Sequence, residues 1–100
     1  MRKIILVCAG GMSTSILMKR MEDTAKEQDY EIDVSAHPVS HAYKVGVDAD
    51  IILIGPQVRF QHQKVQDLFP EKPVLVMDMR TYGMMDSVAI IKTVKETLGD

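Results

Sequence analysis

Short apolar runs alternate along the chain with segments of helical period. Lys3–Val7 is a continuous apolar run after its first residue and predicts a strand buried on both faces. From Ser13 to about Gln28, Leu17, Met21 and Ala25 recur at every fourth position, which predicts a helix with one inner face. Lys19, Glu22, Asp23 and Lys26 fall on its outer face, where Glu22 and Lys26 are spaced to pair. Glu31–Ala36 alternates, with Ile32, Val34 and Ala36 on one side and Glu31, Asp33 and Ser35 on the other. That is a half-exposed strand at a sheet edge, and Pro38 is expected to break it. Ser40–Val47 predicts a short helix. Ile51–Ile54 is apolar throughout and predicts a central strand, stopped by Gly55-Pro56. Val58, Val65, Leu68 and Phe69 then form a helical stripe ending at Pro70. Val74–Met77 predicts a fourth strand. Asp86 or Ser87 is placed to cap a last helix that turns Ile91, Val94 and Leu98 inward.

The order βαβαβαβα predicts an α/β fold: a four-stranded parallel sheet with helices on both faces and right-handed crossovers. An edge-like second strand beside buried first and third strands gives the strand order 2-1-3-4. The chain then reverses direction across the sheet between strands one and three. Open α/β sheets bind ligands at such a switch point, beyond the carboxyl ends of the strands. The loops Cys8–Thr14 and Gly55–Val58 flank it.

Composition narrows the function. A chain of 100 residues predicts one domain, 1–100. Twelve Lys+Arg against fourteen Asp+Glu give a formal net charge of −2, with no basic patch of the kind nucleic acid requires. Three Tyr, two Phe and no Trp leave few platforms for stacking bases. A single cysteine excludes an intramolecular disulfide, a CxxC redox pair and a Cys-rich zinc site, and it points to a reduced, cytoplasmic protein. The apolar run Ile4–Ala9 is shorter than the roughly 7–15 residues of a signal-peptide core. No run approaches the about 20 residues that span a bilayer, so work at a membrane requires a partner.

The chemistry gathers in the first loop, Cys8-Ala9-Gly10-Gly11-Met12-Ser13-Thr14-Ser15. Cys8 ends a strand and precedes a helix start, whose partial positive charge and free N–H groups favour an anionic, nucleophilic sulfur. Gly10 and Gly11 let the backbone curl and turn N–H groups inward, a nest suited to phosphate. Ser13, Thr14 and Ser15 add hydroxyls, one able to cap the helix while another meets the anion. A cysteine phosphatase of the C-x5-R type needs an arginine where this chain has Thr14, and the nearest arginines are Arg20 and Arg59. Without that guanidinium, and with no carboxylate or histidine in the loop to activate water, relay of phosphate is favoured over hydrolysis.

Residues 8–15 resemble the phosphorylation loop of the enzyme IIB components of the sugar phosphotransferase system, lactose/cellobiose family. Leu53-Ile54-Gly55-Pro56-Gln57-Val58-Arg59 and Tyr82-Gly83-Met84-Met85 are similar to further motifs of that family, and the likeness covers essentially the whole chain. Gly10 departs from the alanine commoner there. The resemblance implies that Cys8 accepts a phosphoryl group from a phosphohistidine of a IIA protein. Cys8 would pass it to a sugar bound by a membrane IIC subunit, with cellobiose, chitobiose or another β-glucoside as the sugar. It implies no cofactor, and a monomer is expected because both partners must reach Cys8. The alternatives are a low-molecular-weight phosphatase-like hydrolase and a regulatory module that reads phosphorylation state.

Weaker signals complete the reading. Gly55, Pro56, Gln57 and Tyr82 are candidates for the site rim, with the Gln57 amide able to donate to a phosphate oxygen. Met18, Met21 and Met77 are expected in the core, and Met12, Met84 and Met85 on the rim as an adaptable docking surface. His37, His41 and His62 are read as surface or packing residues, without a metal site. Asp78 and Asp86 are read as caps or turn residues.

Overall fold

Four parallel strands form one sheet in the computed structural model, which describes residues 1–9 and 12–100. They are β1 (Arg2–Cys8), β2 (Ile32–Pro38), β3 (Ile51–Ile54) and β4 (Val74–Val76), in the order β2-β1-β3-β4. Five helices connect or cover them: α1 (Met12–Glu27), α2 (Ala42–Val45), α3 (His62–Leu68), α4 (Met79–Gly83) and α5 (Ser87–Leu98). Turns of 3-10 helix flank α2 and precede α3, at Val39–His41, Gly46–Asp48 and Pro56–Gln61.

Strand alternation divides the core into two layers. Ile4, Leu6, Ile51 and Leu53 face α1 and α5, where they meet Leu17, Met21, Ala25, Ile90, Ile91 and Val94. Ile5, Val7, Ile52 and Ile54 face α2 and α3, where they meet Ala42, Val65 and Phe69. β1 and β3 are therefore covered on both faces, as their uniform apolar character requires. A buried hydroxyl pair, Thr24 Oγ1 and Ser87 Oγ at 2.7 Å, ties α1 to the start of α5.

Several expectations need adjusting. Pro38 does not break β2 but ends it, paired with Cys8. A proline is tolerated there because β2 is an edge strand and one side of it needs no N–H donor. The expected helix over 40–47 is cut into a 3-10 turn, the single turn α2 and a second 3-10 turn. Val65 and Phe69 are buried, but Leu68 is exposed at the last position of α3, where the backbone leaves helical geometry at Phe69 (φ −134°, ψ 70°). On α1 the ion pair that forms is Lys19–Asp23 at 2.9 Å, rather than Glu22–Lys26. The five-residue helix α4 was not expected at all. Met85 leaves the rim and packs against the α1/α5 layer, whereas Met84 is exposed as expected.

Candidate functional site

Cys8 is the last residue of β1 and is only 3% exposed. Burial follows from its place between β2 and β3 and beneath the first turn of α1. There Thr14 Oγ1 donates a hydrogen bond to Cys8 Sγ at 3.5 Å. Thr14 is itself buried, and its hydroxyl also lies 3.2 Å from the hydroxyl of Tyr82 on α4. Three side chains from β1, α1 and α4 thus form one hydrogen-bonded line ending on sulfur.

The second loop closes in from β3. Gly55 N–H donates to Val7 O at 2.7 Å, which draws the end of β3 against the residue before Cys8. A Cβ on Gly55 would stand 3.4 Å from Cys8 Cβ and 3.0 Å from Gln57 Oε1. Gly55 has an ordinary extended backbone, so its value lies in close approach rather than in a special φ. Pro56 is buried at the first position of the 3-10 turn, and Gln57 is exposed beside it.

A cavity of about 210 Å³ opens next to the sulfur, lined by Cys8, Thr14, Ser15, Met18, Ala36 and Pro38. His37 borders it too. Strand alternation, however, sends the ring to the face of Val7, and it bonds Ser35 Oγ at 3.0 Å. A larger hollow of about 300 Å³ between β4 and α5 has no cysteine, histidine or lysine in its lining.

The structure thus brings Cys8, Thr14, Ser15, Gly55, Gln57 and Tyr82 to one end of the sheet. Ala9 is exposed at the bend after β1. Gly10 and Gly11 lie outside the described residues, as do the side chains of Met12 and Ser13. Asp78 and Asp86 are the N-caps of α4 and α5, accepting from Thr81 N–H and Ala89 N–H at 3.1 Å each. His62 Nε2 donates to Val74 O at 2.6 Å, sealing the outer edge of β4, and His41 is exposed. Among the described residues, no three His, Cys, Asp or Glu side chains are grouped to hold a metal ion, and no helix is long and apolar enough to cross a membrane. The direct link between Thr14 and Tyr82 was missed by the sequence reading. The two residues are 68 positions apart, and only the motif around Tyr82 hinted at it.

A doubly covered four-stranded parallel sheet in the order 2-1-3-4, with a single buried cysteine at its switch point, defines the chain as a small open α/β protein. Residues 3–93 match the family described as "PTS system, Lactose/Cellobiose specific IIB subunit", and the chain belongs to that family. It is 39% identical over 89 residues to an oligo-beta-mannoside-specific EIIB component from Bacillus subtilis, covering 86% of this chain and 85% of the relative. It is 36% identical to a cellobiose-specific EIIB component from Lactococcus lactis, covering 82% of each. Among solved structures, a cellobiose-specific IIB component from Borrelia burgdorferi superposes with a TM-score of 0.75 at 29% identity, over 91% of this chain and 85% of that one. The lactose-specific IIB domain from Streptococcus pneumoniae gives 0.76 at 16% identity, over 92% and 95%, a likeness of fold. As a IIB component the chain is a phosphotransferase of sugar uptake, and such components work with IIA and IIC partners.

Proposed function

We propose that Cys8 is the phosphoryl carrier of this IIB component. The observation that supports this most directly is the sulfur itself: the chain's one cysteine, at the switch point, accepting a hydrogen bond from the buried Thr14 hydroxyl. In the first half-reaction Cys8 sulfur attacks the phosphorus of a phosphohistidine on IIA. An S–P bond forms, the P–N bond breaks, and the thiol proton ends on the released imidazole. In the second, a hydroxyl oxygen of a sugar held by membrane IIC attacks the same phosphorus. An O–P bond forms, the S–P bond breaks, and the hydroxyl proton ends on sulfur. The net change in each step is a phosphoryl group exchanged for a proton, so the protein requires no cofactor.

The phosphoryl oxygens would sit over the start of α1, held by backbone N–H groups of Ala9, Gly10, Gly11 and Met12 and by the hydroxyls of Ser13, Thr14 and Ser15. Gln57, beside Gly55 and Pro56, would donate its amide to one of them. Unchanged transfer in Gln57→Ala removes it from the site. The sugar is a β-linked disaccharide such as cellobiose, chitobiose or another β-glucoside, in keeping with relatives named for cellobiose and oligo-beta-mannoside. The protein acts in the cytoplasm as a monomer, meets the membrane only through IIC, and presents the same end to each partner in turn.

The test is incubation with a phosphorylated IIA followed by mass spectrometry of the intact chain and its peptides. One added phosphate on the Cys8 peptide is expected. Phosphate on any other residue, or none, overturns the assignment.

A further inference from the structure

We infer that Tyr82 is a positioning residue for Cys8, acting through Thr14. This rests on the reading of Cys8 as the phosphoryl carrier and adds to it a mechanism for holding the sulfur ready.

A threonine hydroxyl has a single proton to give. Thr14 spends it on Cys8 Sγ, 3.5 Å away, so the 3.2 Å contact with Tyr82 must run in the other direction. Tyr82 Oη–H donates to Thr14 Oγ1, and Thr14 Oγ1–H donates to sulfur. Tyr82 thereby settles which way the Thr14 hydroxyl points. With its lone pair occupied from the α4 side, Thr14 turns its proton toward β1. Hydrogen bonds in a chain polarise one another, so the first donation also strengthens the second.

The element carrying Tyr82 is held at its start, along its inner face and at its end. Asp78 caps its first turn and also accepts from the Thr81 hydroxyl at 3.4 Å. The Tyr82 ring packs against the α1/α5 layer. Behind it Met85 adopts a left-handed φ of 51°, a conformation costly for a side chain with a Cβ. That bend is kept by Met85 N–H to Tyr82 O at 3.0 Å and Asp86 N–H to Thr81 O at 3.0 Å. A strained connection between two short capped helices is what places a hydroxyl from the far end of the chain over the first turn of α1.

The chemistry needs such a donor twice. Sulfur carries negative charge as it attacks phosphorus and again as it leaves, and a hydroxyl aimed at it lowers both barriers. A carrier must load and unload at comparable ease, so a donor to sulfur serves it better than one that grips only the phosphoryl oxygens.

The experiment is alkylation of Cys8 by iodoacetamide at pH 7, where the single cysteine makes the signal unambiguous. It uses Tyr82→Phe, Thr14→Val, the double variant, Thr14→Ser and Thr14→Ser/Tyr82→Phe, with circular dichroism and melting temperature recorded for each. Tyr82→Phe keeps the packed ring and is expected to slow alkylation about two- to fivefold, the size of one lost indirect hydrogen bond. Loss of the donor leaves the charge on the attacking sulfur less stabilised. Thr14→Val should slow the reaction further, and adding Tyr82→Phe to it should change nothing more. Thr14→Ser should restore the wild-type rate and, with it, the sensitivity to Tyr82→Phe. An unchanged rate in Tyr82→Phe overturns the inference. So do two effects that simply multiply, because a role confined to packing predicts independence. Alkylation needs no phosphorylated partner. If the coupling is seen but Cys8→Ser still passes phosphate, the carrier assignment fails and the positioning of sulfur by Tyr82 stands.

Discussion

At the amino end of the sheet, Arg2, Tyr30, Asp50 and Asp100 form a charged cluster in solvent. At the carboxyl end, Cys8, Thr14 and Tyr82 form a hydrogen-bonded line of thiol and hydroxyl groups leading into the core. The Arg2 guanidinium grips Asp100 with two hydrogen bonds of 2.8 Å, Tyr30 Oη donates to the same carboxylate at 2.6 Å, and Asp50 stands 3.8 Å from Arg2. Lys95 lies over the Tyr30 ring, 4.9 Å from its centroid. This cluster clamps the end of α5 to β1 and to the turn before β2. It answers a mechanical need. The cysteine end has no such self-cancelling pair: among the described residues, no charged side chain bonds to Cys8, Thr14 or Tyr82. Fixed charges already paired would have to be separated before a phosphoryl group could enter. Hydroxyls and N–H groups need only reorient. With Cys8 as the proposed carrier, stability and chemistry fall at opposite ends of the same strands, and substitutions at the two ends should have separable effects.

The largest effect belongs to the sulfur. Cys8→Ser should cut phosphoryl transfer from IIA to sugar by a factor on the order of 10³ or more, because a hydroxyl is a far weaker nucleophile at neutral pH. Urea unfolding of the same variant should show a stability close to wild type, since Thr14 remains as a partner for the new hydroxyl. Residual transfer at the wild-type rate would break the division of labour.

Two glycines probe the comparison more finely. A Cβ on Gly46, in the turn before β3, would stand 2.5 Å from Phe69 Cε2, 2.7 Å from Phe69 Cζ and 3.1 Å from Ile52 Cδ1. Gly46→Ala therefore overpacks the α2/α3 layer and should cost about 1–3 kcal/mol, read as a lower urea midpoint at unchanged slope. Transfer per folded molecule should be unaffected. Gly55→Ala is the reverse case. Its nearest neighbour is the end of the flexible, exposed Gln57 side chain, so stability should fall by less than about 1 kcal/mol. But the new methyl lies against Cys8 Cβ and displaces the Gln57 amide, and transfer should drop about three- to tenfold, since small misplacements at a reacting centre are expensive. If both glycines moved stability and transfer together, the two ends would not be independent.

Where these features were legible in the sequence depends on the range of the interaction behind them. β3 is read to the residue, because four consecutive apolar positions between Asp50 and Gly55-Pro56 suit a short strand covered on both faces. The alternation of Ile32, Val34 and Ala36 correctly predicts one half-buried side of β2. The expected order 2-1-3-4 and parallel sense are observed, since they follow from which strands are buried on both faces. Cys8 stood out by residue type alone. α4 did not, because five residues carry less than two turns of periodicity. The placement of Tyr82 over Thr14 depends on caps at Asp78 and Asp86 and on the left-handed Met85, none of which leaves a hydrophobic pattern. The charged cluster at the other end was invisible for the same reason: Arg2 and Asp100 meet only because α5 runs back along the sheet.

The smallest effect is the pH dependence of that cluster. Hydrogen bonds from Arg2, then from Tyr30, lower the Asp100 carboxyl from 3.8 to about 2. Burial, then the bond to Asp100, raises the Tyr30 hydroxyl from 10.0 to about 12. The two limbs have opposite origins. Asp100 has a depressed value in the folded chain, so its contribution is present above about 4 and is lost as pH falls toward 2, where the folded state must also take up the proton. Tyr30 has a raised value, so its contribution is complete below about 10 and is lost as pH climbs toward 12, where the unfolded chain ionises first. Because the cluster is solvent-exposed, both limbs should be shallow and should shrink further with added salt. Melting temperatures across pH 2–12 measure them. Asp100→Asn should flatten the acid limb and weaken the alkaline one, while Tyr30→Phe should remove the alkaline limb and weaken the acid one. Neither should alter the rate at which Cys8 is alkylated at pH 7. A change there would mean that the clamp reaches the sulfur through β1, and the two ends of the sheet would have to be treated as one coupled system.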